Sequence, residues 1–412
     1  MLSNVKLSRT IGKMQVFLYL MLCILTNSAC QRKDLYLRVD DVSISIAVYD
    51  VRLDLLWGVG WETEWVYEWD ESLADFGVLG YTKPDYVKGT IYNVNPTTLK
   101  RFSSFNKIFN SSGGRVSLTT GATYDMLFYN FGTEWTSFNQ SEDYETYTAT
   151  TRRSSQSSWI RTQSDSQFSD KPANSKSYID YNQPDELFGT LVTGLLISDN
   201  PAYYDKEVDE EGNITYIYKI DANLRPYSFI YVFQIILLNN YDDEGIRVTG
   251  GRGITVTGLS QGVDLFTRQT LSNTISLTPD DVKPTQHIKN VQLENGQVAD
   301  SADVFAVRIL TWGLPKADIL ELSSKAGSKA EMVDDNYIGI GLALRNGGTF
   351  TITRNITDIL HNEKPAGGIV TIYIDSSQIP SSAFEKPKPS GGGGFNANVE
   401  DWADEVNAEV II

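Results

Sequence analysis

Apolar and polar residues alternate with a period of two along much of the chain. The alternating segments are short and bounded by Gly, Pro, Asn and Asp, the pattern of half-buried β-strands. Val42, Ile44, Ile46 and Val48 alternate with Ser43, Ser45, Ala47 and Tyr49. A run of strands is expected over 90–131: TIYNVNP stops at Pro96, SSGG at 111–114 is a turn, and two strands flank Gly121. Residues 186–197 form a short apolar element and 215–238 a long one, rich in β-branched and aromatic residues, with a tight turn after it at Asp242–Gly245. Glycines interrupt RGITVTGLSQGVDL at 252–265, predicting a bulged or edge strand. Phe305, Val307 and Ile309 mark a strand ending at Trp312–Pro315, and further strands fall at 337–345, 349–354 and 369–375. One helix is predicted, over 316–332, weakened by Gly327. Behind a Pro/Gly/Ser linker at 381–394, Val406, Ala408, Val410 and Ile412 alternate and predict a last strand.

Little helix and many Gly-rich turns place the chain in the all-β class, built as antiparallel β-sandwiches. The polar break SDNPAYYDKEVDEEGN at 198–213 predicts a boundary between an N-terminal domain, 30–205, and a C-terminal domain, 206–412. Asp205, Glu207, Asp209, Glu211 and Gly212 have the acidity of a calcium loop. Tyr218 stands where the closing bidentate Glu would be, so a polar hairpin loop is expected instead. Residues 139–182, dominated by Ser, Thr, Tyr, Asp and Arg, read as a long surface loop or an irregular edge. Within them Arg152 and Arg153 are a candidate site for trypsin-like processing; two solvated charges are the plainer reading.

Lys6, Arg9 and Lys13 precede an apolar run from Val16 to Leu25 that is too short to span a bilayer, and Ser28 and Ala29 then lead into Cys30. This order predicts a signal peptide over 1–29. Its ending resembles a bacterial lipobox, in which the cut precedes the cysteine and the cysteine carries the lipid, although Asn27 departs from that pattern. The plainer alternative is an ordinary cleavage site that adjoins a cysteine. The other cysteine, Cys23, lies inside the leader, so an acylated mature chain has no free thiol and depends on burial for its stability.

The 412-residue chain has a net charge of -17, and losing the three leader cations would take it to -20. Such a surface disfavours nucleic acid and electrostatic binding to anionic lipid, which leaves the acyl group as the membrane link. Only His287 and His361 are histidines, so neither a histidine-rich metal site nor a histidine-centred relay is expected. There is no P-loop, dinucleotide fingerprint, Gly-x-Ser-x-Gly elbow, Cys-x-x-Cys or His-Glu-x-x-His. No enzyme, cofactor or metal is implied. Trp57, Trp61, Trp65, Tyr67 and Trp69 crowd residues 55–70. They read either as core and strand-surface aromatics or as a platform for sugars.

Long stretches then match a known pattern: CQRKDLYLRVDDVSISIAVYD from Cys30, TTGATYDMLFYNFGTEW at 119–135 and TATTRR at 148–153. FAVRILTWGLP from Phe305, LRNGGTFTITRNITDIL from Leu344, KPAGGIVTIYID from Lys364 and the closing GGGGFNANVEDWADEVNAEVII extend it over most of the mature chain. These resemble the fimbrillin-like family, the FimA-like and Mfa-like proteins of type V pili. The resemblance implies two tandem transthyretin-like antiparallel β-sandwich domains. It also implies export as an outer membrane lipoprotein, a cell-surface place in or beside a fimbrium, and other fimbrial subunits as partners through strand addition. The expected role is a non-catalytic anchor or accessory subunit in assembly and adhesion. The competing role is a lipid-anchored module holding glycans or host protein with Trp57, Trp61, Trp65 and Trp69. Stalk subunits of this type lose an N-terminal strand after an arginine, and Arg38 and Arg52 are the candidates near the first strand.

Overall fold

The computed structural model describes residues 48–57, 81–279, 281–293, 296, 298–319, 332–363, 365 and 367–385. The strands are β1 (Val48–Trp57), β2 (Tyr86–Val94), β3 (Arg101–Asn110), β4 (Gly113–Ser117), β5 (Thr123–Asn130), β6 (Thr136–Gln140) and β7 (Tyr147–Thr151). Next come β8 (Asp180–Tyr181), β9 (Phe188–Leu196), β10 (Asp205–Val208), β11 (Ile214–Pro226), β12 (Phe229–Leu238), β13 (Tyr241–Asp242), β14 (Gly245–Ile246) and β15 (Val248–Ser260). The last are β16 (Gly262–Asp264), β17 (Thr274–Leu277), β18 (Gln286–Gln292), β19 (Val298–Thr311), β20 (Tyr337–Leu344), β21 (Thr349–Asn355) and β22 (Gly368–Asp375). The fold is all-β, as the period of two predicts. Residues 42–47 of the expected first strand, 320–331 of the expected helix and the whole of the expected last strand lie outside the described residues.

The first sheet runs β1-β4-β3-β2-β5-β9-β11-β10, and an extra pairing of β1 with β11 brings it back on itself. The ring is weakest at two corners, Asn110↔Gly113 between β3 and β4, and Arg225↔Gly189 with Pro226↔Phe188 between β11 and β9. It encloses a core that takes Val51 from β1, Val87 and Ile91 from β2, Met126 and Phe128 from β5, and Ile220 and Leu224 from β11. β10 and β11 form a hairpin whose turn is held by Asp209, which accepts from the Glu211 and Asn213 amides. This is the polar hairpin loop expected from Tyr218.

β5 reads TYDMLFYN and is buried on both faces. Tyr124, Met126 and Phe128 belong to the first core, whereas Leu127 and Tyr129 belong to a larger second one. The second core lies among the sheets β18-β19-β12-β22, β21-β20-β15-β17-β8 and β16-β7-β6. Strict alternation supplies it: Tyr231, Phe233, Ile235 and Leu237 from β12, and Ile338, Ile340, Leu342 and Leu344 from β20. Each such side chain contributes about 1.5–3 kcal/mol on burial. Strands on either side of residue 205 share sheets, since β11 pairs with β1 and β9, while β7 and β8 pair with β16 and β17.

β15 is bulged, at Val248/Gly250, Gly251/Gly253 and Thr257/Leu259, but it is not an edge: β20 and β17 flank it. Its Gly253, with Gly339 and Gly341 of the neighbouring β20, answers to a different neighbour. A Cβ on Gly341 would lie 2.6 Å from the Trp159 ring, one on Gly253 2.6 Å from Trp159 Nε1, and one on Gly339 2.4 Å from the Trp159 carbonyl oxygen. The irregular stretch expected over 139–182 is thus broken by the end of β6, by β7 and by β8, and only residues 154–179 are irregular, packed on the sheet rather than merely resting on the surface. The amide of Trp159 donates to Thr255 Oγ1 (2.9 Å), that of Arg161 to Thr353 Oγ1 (3.0 Å), and Thr353 and Phe168–Asp170 exchange backbone bonds. Lys171, only 3% exposed, satisfies its ammonium on the Lys176 carbonyl (2.7 Å).

Candidate assembly site

β1 occupies a slot between two strands. It runs parallel to β11 over ten pairs, Val48↔Thr215 to Trp57↔Leu224, and antiparallel to β4 from Asp50↔Ser117 to Asp54↔Gly113. Its Val51 is 1% exposed and joins the first core. Arg52 points outward, in register with Arg115 on one side and Lys219 on the other. Three cations abreast would repel. Each has its own carboxylate: Asp54 for Arg52 (3.0 Å), Glu207 for Arg115 (2.7 Å) and Asp205 for Lys219 (2.6 Å). These pairs are exposed and each is worth little in stability, but together they remove the like-charge cost of seating β1. The sequence reading singled out Arg52 and missed the row, because its other members come from strands far away in the chain.

Cys30, Arg38, Trp61, Trp65 and Trp69 lie outside the described residues, and Trp57 is the last residue of β1. Arg152 and Arg153 expose their side chains, yet the backbone there is tied down. The Arg152 amide donates to the Trp135 carbonyl and its carbonyl accepts from Asn182, while Arg153 bridges to Tyr181. His287 Nδ1 lies 2.8 Å from buried Asp303, and His361 Nε2 lies 2.9 Å from Asn336 Oδ1. Among the described residues no group of three or more metal-ligating side chains occurs.

A second, unpredicted feature clasps the end of the described chain. Arg247 donates to the carbonyls of Ser376 (3.0 Å) and Ile379 (2.9 Å), and Asn346 Nδ2 donates to those of Ala383 and Glu385. The guanidinium groups of Arg247 and Arg345 lie 4.6 and 5.0 Å from the Phe384 ring centre. Asp242 accepts from both arginines, and Arg345 also pairs with Glu244. The hydrogen bond from Arg345 leads the effects that hold the Asp242 carboxyl below its usual range. A carboxylate with a depressed pKa in the folded state stabilises above its unfolded value and loses that contribution as pH falls through the folded one. Acidification below about pH 4 is therefore expected to loosen residues 376–385. Hydrogen exchange at the Ile379, Ala383 and Glu385 amides reads this, and Asp242→Asn should speed it already at neutral pH. Unchanged exchange in that variant would contradict the clasp.

No family model and no curated protein matches the chain. Solved structures do. A candidate adhesin from Bacteroides ovatus is 15% identical with a TM-score of 0.42, covering 84% of this chain and 97% of that one. A second candidate adhesin from Bacteroides ovatus is 11% identical with a TM-score of 0.38, covering 80% and 90%. The fimbrial anchor protein Mfa2 from Porphyromonas gingivalis is 9% identical with a TM-score of 0.37, covering 79% and 91%.

Proposed function

We propose that this chain is a non-catalytic anchor or accessory subunit of a type V pilus-like fimbrium, held in the outer membrane by acylated Cys30 and joined to other subunits by strand addition. The resemblance of its sequence to fimbrillin-like proteins supports the family reading. One observation favours a retained subunit over a polymerising one. β1 is seated on both sides, and no arginine occurs between Arg52 and Arg101. A cut after Arg52 divides β1, and a cut after Arg101 removes β2 as well. An arginine-specific protease therefore has no site at which to excise β1 whole and open its slot. The presence of two apolar cores supports the two-domain, transthyretin-like reading, with strands from before residue 205 also serving the second core.

Two measurements on cells test the reading. Wild-type protein should enter the detergent phase and Cys30→Ala should not, because the acyl chains supply about 0.8 kcal/mol per buried methylene. The protein taken from the cell surface should begin at Cys30. Membrane fractionation unaffected by Cys30→Ala removes the lipid anchor. A mature terminus at Leu53 makes the chain a processed, polymerising subunit instead.

A further inference from the structure

The turn of the β20–β21 hairpin contains Asn346-Gly347, and this asparagine is part of the clasp on residues 376–385. The Gly347 amide donates to the Leu344 carbonyl (2.9 Å), and the Leu344 amide to the Gly348 carbonyl (2.9 Å). Asn346 uses both ends of its side chain. Its Oδ1 accepts from the Gly348 amide (2.9 Å), while Nδ2 donates to the carbonyls of Ala383 and Glu385 (3.1 Å each). Gly347 is exposed with φ at +82°, and no side chain shields its nitrogen. Asparagine is a thermolabile residue, most of all before an unshielded glycine. Here the nitrogen that leaves in that reaction is the one that holds residues 383–385. We propose that Asn346-Gly347 is a self-modification site gated by the clasp. The closed clasp protects the side-chain amide, opening exposes it to deamidation, and the product cannot close the clasp again.

The chemistry needs only water. The Gly347 nitrogen gives up its proton and attacks Asn346 Cγ. An N–Cγ bond forms, the Cγ–Nδ2 bond breaks, and Nδ2 takes up a proton and leaves as ammonia. Water then opens the resulting succinimide at either carbonyl, its hydroxyl going to the carbonyl carbon and its proton to the ring nitrogen. One opening gives aspartate and the other isoaspartate. In the closed state the Gly347 N–H is bonded to Leu344, Oδ1 to Gly348, and Nδ2 to two carbonyls. Only the last of these restraints depends on residues 376–385. Both products lose the Nδ2 donors. An ionised carboxylate only accepts hydrogen bonds, so it meets the Ala383 and Glu385 carbonyls with nothing to donate. Arg345 is already engaged with Asp242 and Glu244 and is not free to neutralise it. An isoaspartate also lengthens the main chain of the turn by one atom and moves the Gly347 amide away from Leu344. Release of the segment thereby becomes one-way.

Peptide mass spectrometry of the full chain, incubated in mildly alkaline buffer and then digested, reads the loss of the Asn346 amide. The other Asn-Gly pair of the chain, Asn295-Gly296, has its glycine in the β18–β19 turn and serves as the internal reference. Phe384→Ala takes the ring away from both guanidinium groups and leaves the turn untouched. In this variant, and in Asp242→Asn, Asn346 should be lost about threefold faster or more, because a segment that opens locally exposes what it covered. The rate at Asn295 should not change. Asn346→Asp stands for the product and should speed hydrogen exchange at the Ala383 and Glu385 amides about tenfold, the effect of two lost hydrogen bonds. Loss at Asn346 that keeps the wild-type rate in both variants places the protection in the hairpin alone and overturns the gate. Exchange at residues 383 and 385 that Asn346→Asp leaves unchanged overturns the one-way release.

Discussion

Val51→Asp is expected to unfold the first core. The side chain is 1% exposed among Val87, Phe128 and Leu224, so the variant buries a carboxylate with no partner. The cost should be about 3–5 kcal/mol. That is a large part of the stability of an ordinary domain. Arg52→Ala, one residue away on the outer face, removes only an exposed ion pair and should cost under about 1 kcal/mol. Denaturant unfolding of the two variants makes the comparison. The contrast tests whether β1 is an integral strand or a loosely laid one. Equal midpoints for Val51→Asp and the wild type would show that the slot between β4 and β11 does not need β1, and would remove the argument for a retained strand.

The second large effect concerns Trp159 and its glycines. Trp159→Ala leaves the space above Gly253 and Gly341 empty and should cost about 2–4 kcal/mol, below a fully buried tryptophan because the residue is half-buried. Gly341→Ala drives a methyl group to 2.6 Å from the ring and should cost about 1–3 kcal/mol. The two should not add. With the ring gone the methyl group has room, so the double variant should be about 1 kcal/mol better than the sum. Gly339→Ala behaves differently, because its clash at 2.4 Å is with the Trp159 carbonyl, which Trp159→Ala keeps. Additivity at Gly341, or rescue at Gly339, would show that the segment lies elsewhere than on this sheet.

Much of the architecture was legible in the chain. Alternation located β20, β21 and β22 nearly to the residue and the second half of β19, and the polar loop after Tyr204 was recognisable because Tyr218 cannot close a calcium site. The apolar run that holds β12 was also legible, though not that β5 and β12 bury both faces. What the runs could not signal was which cores those faces meet. Period counts how a segment divides its own side chains. It carries no information about the partner that covers each side.

The same limit explains the sites. Local composition determined the all-β class, the strands and their turns, and the leader ending at Cys30 as an expectation. Tertiary structure decided that Arg52 stands between Arg115 and Lys219, since those strands lie more than sixty and one hundred and sixty residues further on. It decided that Arg247 and Arg345 close on Phe384. It also placed Gly253 of β15, read as an edge signal, beside Gly339 and Gly341 of β20 in a bed for Trp159. A missing Cβ is an empty volume, and only a distant side chain folded against it determines what the volume is for.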